Sequence, residues 1–477
     1  MSALYVAVLV VIAGTLLGVA IFRALRVKTK ADYLVAGRSL SAFVLVLTLL
    51  TSWIGAGSLF AGAENAYRNG FAALWLPAGG WLGLLLIYFI APRARKFAQF
   101  TLPDLLEARY NQTARVLGTI AILFAYVAIT SYQFKGGGNV LHLIFPDAVT
   151  PELGTYIIAI FVIVTTALAG MSSVAYMDVA IGSLVTVICI VAAPMLLAKA
   201  GGWSGLHAVL PETHFEVLGN LTFVQALEFL VPTMLLMLGN QVMYQKFFSA
   251  KTERDARVSV VGWIMGTVVL ETLIVAIAVF GSALYPTGEV AQQPYEIIPY
   301  TARNGLPALM GALLLGAVFA KVISTASNYL FSPATNLIED VFVRYMVPTA
   351  SNRQVLIFSR AAVAVLGCWA LYQAIYAPSI LAKMLYAYTI YSAAVTPVVL
   401  AAFYSKRATA WGAVAAIAAG TAVTLAWDNL GLKDIFPPIL AQRDAIFPAL
   451  FAALLALVVV SAFTPKPRPE QLAQVGD

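Results

Sequence analysis

The sequence predicts an all-α protein that crosses a lipid bilayer about 13 times. Three observations carry this. Of 477 residues, 61% are hydrophobic and 11% are charged, against roughly 25% charged in soluble domains. The apolar residues gather into runs of about 20, the length a helix needs to span the hydrocarbon core. Basic residues fall in every other connection between those runs. A water-soluble globule could not hide this much apolar side chain. The net charge of +7 follows from loop placement and calls for no nucleic-acid partner.

The first run, Leu4–Phe22, has no positive segment ahead of it, and Arg23, Arg26, Lys28 and Lys30 follow it. That pattern fits a first span rather than a cleaved signal peptide. The next runs are Leu40–Tyr67, Phe71–Ala91, Val116–Phe145, Gly154–Ala169, Val179–Ala198 and Phe223–Phe247. Val258–Leu284, Leu306–Phe331, Val355–Ile375, Ile380–Phe403, Trp411–Trp427 and Ile446–Phe463 complete the set.

One group of connections continues with Arg38, Arg93, Arg95, Lys96, Arg109, Arg115, Lys246, Lys251, Arg254 and Arg257, then Arg344, Arg353, Arg360, Lys406, Arg407, Lys466 and Arg468. The other keeps Arg68, Lys199, Arg303, Lys383, Lys433 and Arg443. The positive-inside rule makes the first group cytoplasmic, with the N-terminus outside and the C-terminus inside the cell membrane. No connection is long enough for a separate domain. The tail "TPKPRPEQLAQVGD" is polar and Pro-rich and reads as disordered.

Cys189 and Cys368 sit in apolar runs and give no disulfide framework. His142, His207 and His214 form no metal spacing and no Cys-His cluster. A His-based catalytic centre or a tightly held metal is disfavoured, and a membrane enzyme lacks any Ser-Lys or His-Asp motif to rest on.

Two runs look broken. "TSWIGAGSLFAGAENAY" carries Gly55, Gly57 and Gly62 inside an otherwise good helix, and "FLVPTMLLMLGNQVMYQK" carries Pro232, Gly239 and Asn240. With the first span set aside, these are helices one and six of the remainder, and they run in opposite directions. Interrupted helices at matching places in two inverted halves point to the binding site of a secondary transporter. Single glycines also serve close helix packing; the paired placement favours function.

Six stretches resemble the sodium:solute symporter family. "DYLVAGRSLS" (Asp32–Ser41) is similar to its first cytoplasmic motif, and "GAENAYRNG" (Gly62–Gly70) to the outer end of its first core helix. "TLPDLLEARY" (Thr101–Tyr110) resembles its second cytoplasmic loop, and "GNQVMYQKFFSAK" (Gly239–Lys251) the N-Q-x-x-x-Q-R/K stretch closing core helix six. "STASNYLFSPATNLIEDVF" (Ser324–Phe342) resembles core helix eight. "RATAWGAVAAIAAGTA" (Arg407–Ala422) follows most of the late family pattern, which departs at Phe403, where an aliphatic residue is usual.

The resemblance implies a LeuT-type 5+5 inverted repeat with one leading and two trailing helices. Residues 1–36 would be the leading helix and its loop, 37–200 the first repeat, 201–403 the second, and 404–477 the trailing helices and tail. It also implies sodium-driven uptake of a small solute by alternating access. Sodium would be the coupling ion, with no other cofactor and no obligate protein partner.

Carried over residue by residue, the resemblance puts sodium between carbonyls of Thr51 and Ile54, the carbonyl of Lys321 and the hydroxyls of Ser324 and Thr325. A carbonyl at i with hydroxyls at i+3 and i+4 shares one helical face. Ser and Thr in membranes also bond their own backbone; the broken helix opposite favours the ion. The family usually has a small residue at position 321. A lysine in mid-membrane costs roughly 2.5–3.5 kcal/mol on insertion scales. It can pair with an acid, replace the ion, or snorkel to water. Asp178, at the inner end of core helix five, and Glu271, in core helix seven, are the candidate acids along the ion path. Pairing of Lys321 with Asp178, with sodium coupling kept, is the expectation.

Candidate solute contacts are Gln133, Lys135, Gly55, Thr233, Leu236 and Tyr388. Lys135 beside the cavity would suit a carboxylate-bearing solute; equally, it can snorkel to the outer interface. The resemblance implies that a sugar carrier would bring an acid from helix two and an aromatic gate from helix six; here "ALWLPAGGWLG" has no acid and Leu236 and Met237 supply no aromatic gate, which speaks against a sugar. Tyr386, Tyr388 and Tyr391 either line the cavity or belong to the aromatic belt. A symporter for an organic acid, amino acid or similar nutrient leads. A proton-coupled or uncoupled carrier with Lys321 in the cation site is the alternative, and a sensor that lost transport has no signalling domain to support it.

Overall fold

The computed structural model describes residues 2–26, 29–97, 101–376 and 379–473. Lys28 and the last four residues of the tail lie outside the described residues.

The described chain is built of helices: α1 (Ser2–Ala24), α2 (Ala42–Trp53), α3 (Trp75–Phe97), α4 (Gln112–Ile144), α5 (Pro151–Lys199), α6 (Phe223–Gly239) and α7 (Gln241–Phe248). They are followed by α8 (Glu253–Leu284), α9 (Ala308–Asn336), α10 (Asn352–Tyr376), α11 (Ile380–Ala394), α12 (Ala410–Asn429) and α13 (Ile446–Phe463). Several start where the sequence supplies a cap or a break. Thr29 and Thr101 form capping boxes with Asp32 and Asp104 at short cytoplasmic-loop helices, and Asn111 and Thr252 cap α4 and α8.

α5 has 49 residues, which would make a rod of about 74 Å, more than twice the hydrocarbon core. It is two spans that turn at Gly170, where φ is 61° and ψ is −157°. Glycine alone takes that backbone without strain, and a Cβ there would lie 2.6 Å from the Tyr33 carbonyl oxygen. Among the described residues, twelve helical stretches are long and apolar enough to span a membrane, and Ala42–Trp53 is a shorter apolar helix. The difference from about 13 sequence runs lies in the second run, which is cut after Trp53.

The helices sort into an inner and an outer set. The apolar window of α9 and its continuation to Met346 is 78% buried and that of α1 is 22% buried, so α9 is central and α1 faces lipid. The connections carrying the first basic group touch one another. Lys251 N–H donates to the Leu40 carbonyl at 2.8 Å, Arg95 Nε to the Ala250 carbonyl at 2.6 Å, and Arg109 to the carbonyls of Ser405 and Ala408 at 2.7 and 3.1 Å. Arg115 binds Asp340 and Glu107, and Glu107 also accepts from Arg344 at 2.6 Å. At the other end, Lys199 donates to the Gly305 carbonyl at 2.9 Å and Arg303 to the Leu143 carbonyl.

The tail departs from the expected disorder as far as it is described. Pro469–Ala473 is a helix, and Gln471 Nε2 donates to the Tyr110 carbonyl at 2.8 Å. An amide hydrogen bond onto a helix end ties down a segment whose composition alone would leave it free.

Candidate cation site and solute cavity

α2 breaks where its glycines lie. Ile54 is extended (φ −84°, ψ 118°), and the chain returns as a wide turn over Gly57–Gly62 and a helix over Ala63–Asn69. The freed N–H of Ala56 donates to Gln133 Oε1 of α4 at 2.7 Å. Gly55 makes this approach possible: a Cβ there would lie 2.7 Å from Thr325 Oγ1 and 2.8 Å from Gln133 Oε1.

The Thr325 hydroxyl sits 3.3 Å from the Thr51 carbonyl oxygen, 3.0 Å from that of Ile54 and 3.0 Å from that of Lys321. A hydroxyl has one proton to give. Three buried carbonyl oxygens therefore face one hydroxyl, and their negative ends converge on one point, that of Lys321 also taking the ordinary helical bond from Thr325 N–H within α9. Hard oxygen donors in this number are the surroundings a small hard cation takes. Four of the five predicted sodium ligands come together here. Ser324 does not: its hydroxyl donates to Asp178 Oδ1.

The expected pairing of Lys321 with Asp178 is overturned. Asp178 Oδ2 accepts from Lys246 Nζ at 3.0 Å, and both side chains are completely buried. Thr48, Ser52, Ser324 and Asn328 donate to the same carboxylate. Lys246 also donates to the Thr48 carbonyl at 2.9 Å and to Ser52 Oγ. Lys321, likewise fully buried, donates instead to the Leu50 carbonyl at 3.3 Å. Lys246 is thus no loop charge. It is the last polar residue of "GNQVMYQKFF", and the two phenylalanines after it are the sequence signal that it still lies inside the bundle.

The second break falls at Asn240 (φ −65°, ψ 110°), between α6 and α7. Tyr391 bridges it: its hydroxyl donates to the Gly239 carbonyl at 2.7 Å and accepts from Gln241 N–H at 3.1 Å. Asn240 Oδ1 accepts from Val242 N–H and from Tyr126 Oη, while its Nδ2 donates to Tyr329 Oη at 2.8 Å. Side chains of α4, α9 and α11 replace the missing helical bonds, which lets irregular backbone persist at membrane depth. Pro232 lies within α6 without ending it.

Beside the first break, a small cavity of about 20 Å³, room for little more than one water in this closed arrangement, is lined by Trp53, Ser58, Thr233, Glu271, Met384 and Tyr388, among others. Glu271, expected on the ion path, belongs to this wall instead. Its Oε1 accepts from Trp53 Nε1 at 3.0 Å and its Oε2 from Trp81 Nε1 at 2.9 Å. The rotation of α8 decides this, and a lone Glu in an apolar run does not reveal it.

Thr233 and Tyr388 of the predicted solute contacts line the cavity. Gly55 and Gln133 form the break next to it. Leu236 is fully buried and is not among the lining residues. Lys135 is half-buried, feels the charge of Glu152 at the first turn of α5, and lies off the cavity. Its neighbours Gly136 to Gly138 face Ala56, Ile158 and Thr155 as close packing contacts. Tyr391 fills the second break rather than the cavity wall, and Tyr386 packs under Lys383 with 5.4 Å from Nζ to the ring centre.

Two interrupted helices with an oxygen-rich point between one of them and α9 define a secondary transporter of the LeuT type. The sodium:solute symporter family model matches residues 33–420, and the chain belongs to that family. It is a carrier and not an enzyme. It is 23% identical over 453 residues to the osmoregulated proline transporter OpuE of Bacillus subtilis, covering 91% of this chain and 90% of that one. It is 26% identical over 463 residues to a sodium/proline symporter of Staphylococcus aureus, covering 92% and 88%.

Among solved structures, a Na+-coupled sialic acid symporter in a substrate-bound outward-open state superposes with a TM-score of 0.82 at 17% identity, covering 98% of this chain and 99% of that one. A nucleobase-cation-symport-1 family transporter in a closed conformation gives 0.61 at 13%, covering 94% and 99%. Both likenesses establish the fold. With the family, they make the chain a multi-pass membrane protein and a symporter of a small organic solute.

Proposed function

We propose that this protein imports a small organic solute across the cell membrane by alternating access, coupled to sodium held by the carbonyls of Thr51, Ile54 and Lys321 and the hydroxyl of Thr325. The observation that carries the reading is the convergence of three carbonyls on one hydroxyl at 3.0 to 3.3 Å. A cation there would join α2 to α9 and favour the arrangement in which they lie close. Trp53 and Ser58, on the two sides of the same break, line the cavity. Ion and solute therefore bias one element, which is what thermodynamic coupling requires. Organic acids, amino acids and similar nutrients form the solute class, and the proline transport named for two relatives supports amino acids within it. The repeats span 37–200 and 201–403, with the N-terminus outside and the C-terminus in the cytoplasm.

The second reading, proton-coupled or uncoupled transport, has one observation in its favour. The Lys321 ammonium reaches the Leu50 carbonyl at 3.3 Å, one residue before the first cation ligand.

Melting of the purified protein in sodium chloride against potassium chloride, at equal ionic strength and several pH values, separates the two. A saturable sodium-specific rise is expected. No sodium response, with Lys321→Ala shifting the pH profile of uptake, would replace the first reading by the second.

A further inference from the structure

We propose that Glu271, with the aromatic rings beside it, is the recognition point for a positively charged nitrogen on the transported solute. The inference rests on the reading of this cavity as the solute site. Glu271 lies in the middle of α8 and is 4% exposed. Its donors are all neutral: the indoles of Trp53 and Trp81, and Ser58 Oγ at 3.5 Å. A carboxylate offers about four acceptor positions, so these leave capacity toward the cavity.

No described Lys, Arg or His lies within ion-pair distance of it. Lys321, whose charge reaches it without direct contact, donates a hydrogen bond to the Leu50 carbonyl. An acid at this depth is expensive and is retained for function as a rule. Here each oxygen is held by its own indole, which fixes the plane of the carboxylate against the cavity.

The wall chemistry agrees. Trp53 and Tyr388 stack with ring centres 6.4 Å apart at 28°, and both line the cavity together with Met384. Aromatic faces attract cations, most strongly when desolvated. None of the described lining side chains is basic, so a solute carboxylate would meet Glu271 without a counter-charge. Lys135, the residue that suited an acidic solute, lies elsewhere. The solute class is therefore small molecules bearing an ammonium group, primary to quaternary, as cations or zwitterions.

The test is ligand binding to the purified full chain by melting shift and calorimetry in sodium chloride. The probes are choline, glycine betaine, acetate and sorbitol, and the proteins are wild type, Glu271→Gln and Trp53→Phe. At least one ammonium probe should stabilise the wild type saturably. Glu271→Gln should bind it roughly tenfold or more weakly, since a charge-assisted bond is lost, while keeping its sodium response. Trp53→Phe keeps the ring face and should keep the preference for ammonium.

Stabilisation by acetate or sorbitol in place of the ammonium probes, no response to either ammonium probe, or unchanged affinity in Glu271→Gln would overturn the assignment. Failure of this site leaves the carrier reading intact, because uptake is measured separately in vesicles. A protein that binds ammonium but takes none of it up keeps the binding point and loses its assignment to the transported solute.

Discussion

Lys246 and Asp178 form an ion pair of 3.0 Å in which both side chains are fully buried. The pair joins α7 to α5, and its hydrogen bonds to Thr48, Ser52, Ser324 and Asn328 draw in α2 and α9. Removing one partner strands a charge in the bundle. Lys246→Met and Asp178→Asn should each destabilise by about 3–5 kcal/mol. The double variant should lose much less than the sum, because neither charge is left alone. Unfolding midpoints of the four proteins in one detergent test this, and strict additivity would mean the pair does not act as a unit.

Gly55 has no room for a side chain. A Cβ would meet Thr325 Oγ1 and Gln133 Oε1 at under 3 Å, pushing α9 away from the α2 carbonyls. Gly55→Ala should therefore fold but lose most of its sodium-induced melting shift. An unaltered shift would place the cation somewhere else.

Tyr391 replaces the helical bonds missing between Gly239 and Gln241. Tyr391→Phe leaves a buried carbonyl and a buried N–H without their partner. A loss of about 1–3 kcal/mol is expected, read as a lower unfolding midpoint. No change would mean that water or a shifted neighbour serves the break equally well.

Glu107 lies in the helix Leu102–Arg109, outside the spans. Burial pushes its carboxyl up, but hydrogen bonds and charge from Arg115 and Arg344 outweigh this and hold it below its ordinary value. A carboxyl depressed in the folded state stabilises above its unfolded pKa, and that contribution fades as pH falls through the folded one. Glu107→Gln should melt lower than wild type at neutral pH, and the two curves should converge as pH drops below the ordinary carboxylate range. A gap that stays constant down to pH 3 would remove the ionic explanation.

Much of this was legible in the chain. The apolar runs located most of the spans, the second run being cut after Trp53 and the ninth running on to Met346, because a bilayer admits few alternatives to a helix of that length. Gly55, Gly57, Gly239 and Asn240 marked both breaks. Thr51, Ile54, Lys321 and Thr325 were carried over from the family resemblance, and the structure brings them to one point.

What failed was pairing across helices. Lys246 was counted with the loops but pairs with Asp178; Ser324, expected on the cation, bonds Asp178, Glu271, expected on the ion path, stands in the cavity wall, and Lys135, given equally to the solute and the interface, lies off that wall. Each of these depends on how a helix is rotated and how far it is pushed along its axis.

By itself the sequence determined that this protein is a helical membrane carrier with two interrupted helices and a hydroxyl-rich face opposite one of them. The spans, breaks and hydroxyl face are local, set by hydrophobic length, glycine placement and the 3.6-residue repeat, while the carrier reading came with the resemblance of the motifs to a family. Only the tertiary structure decided that Lys246 rather than Lys321 answers Asp178, and that Glu271 faces the cavity. A charge buried in a bundle is bound by whichever partner the packing brings within about 3 Å, and packing of distant segments is not written in any one of them.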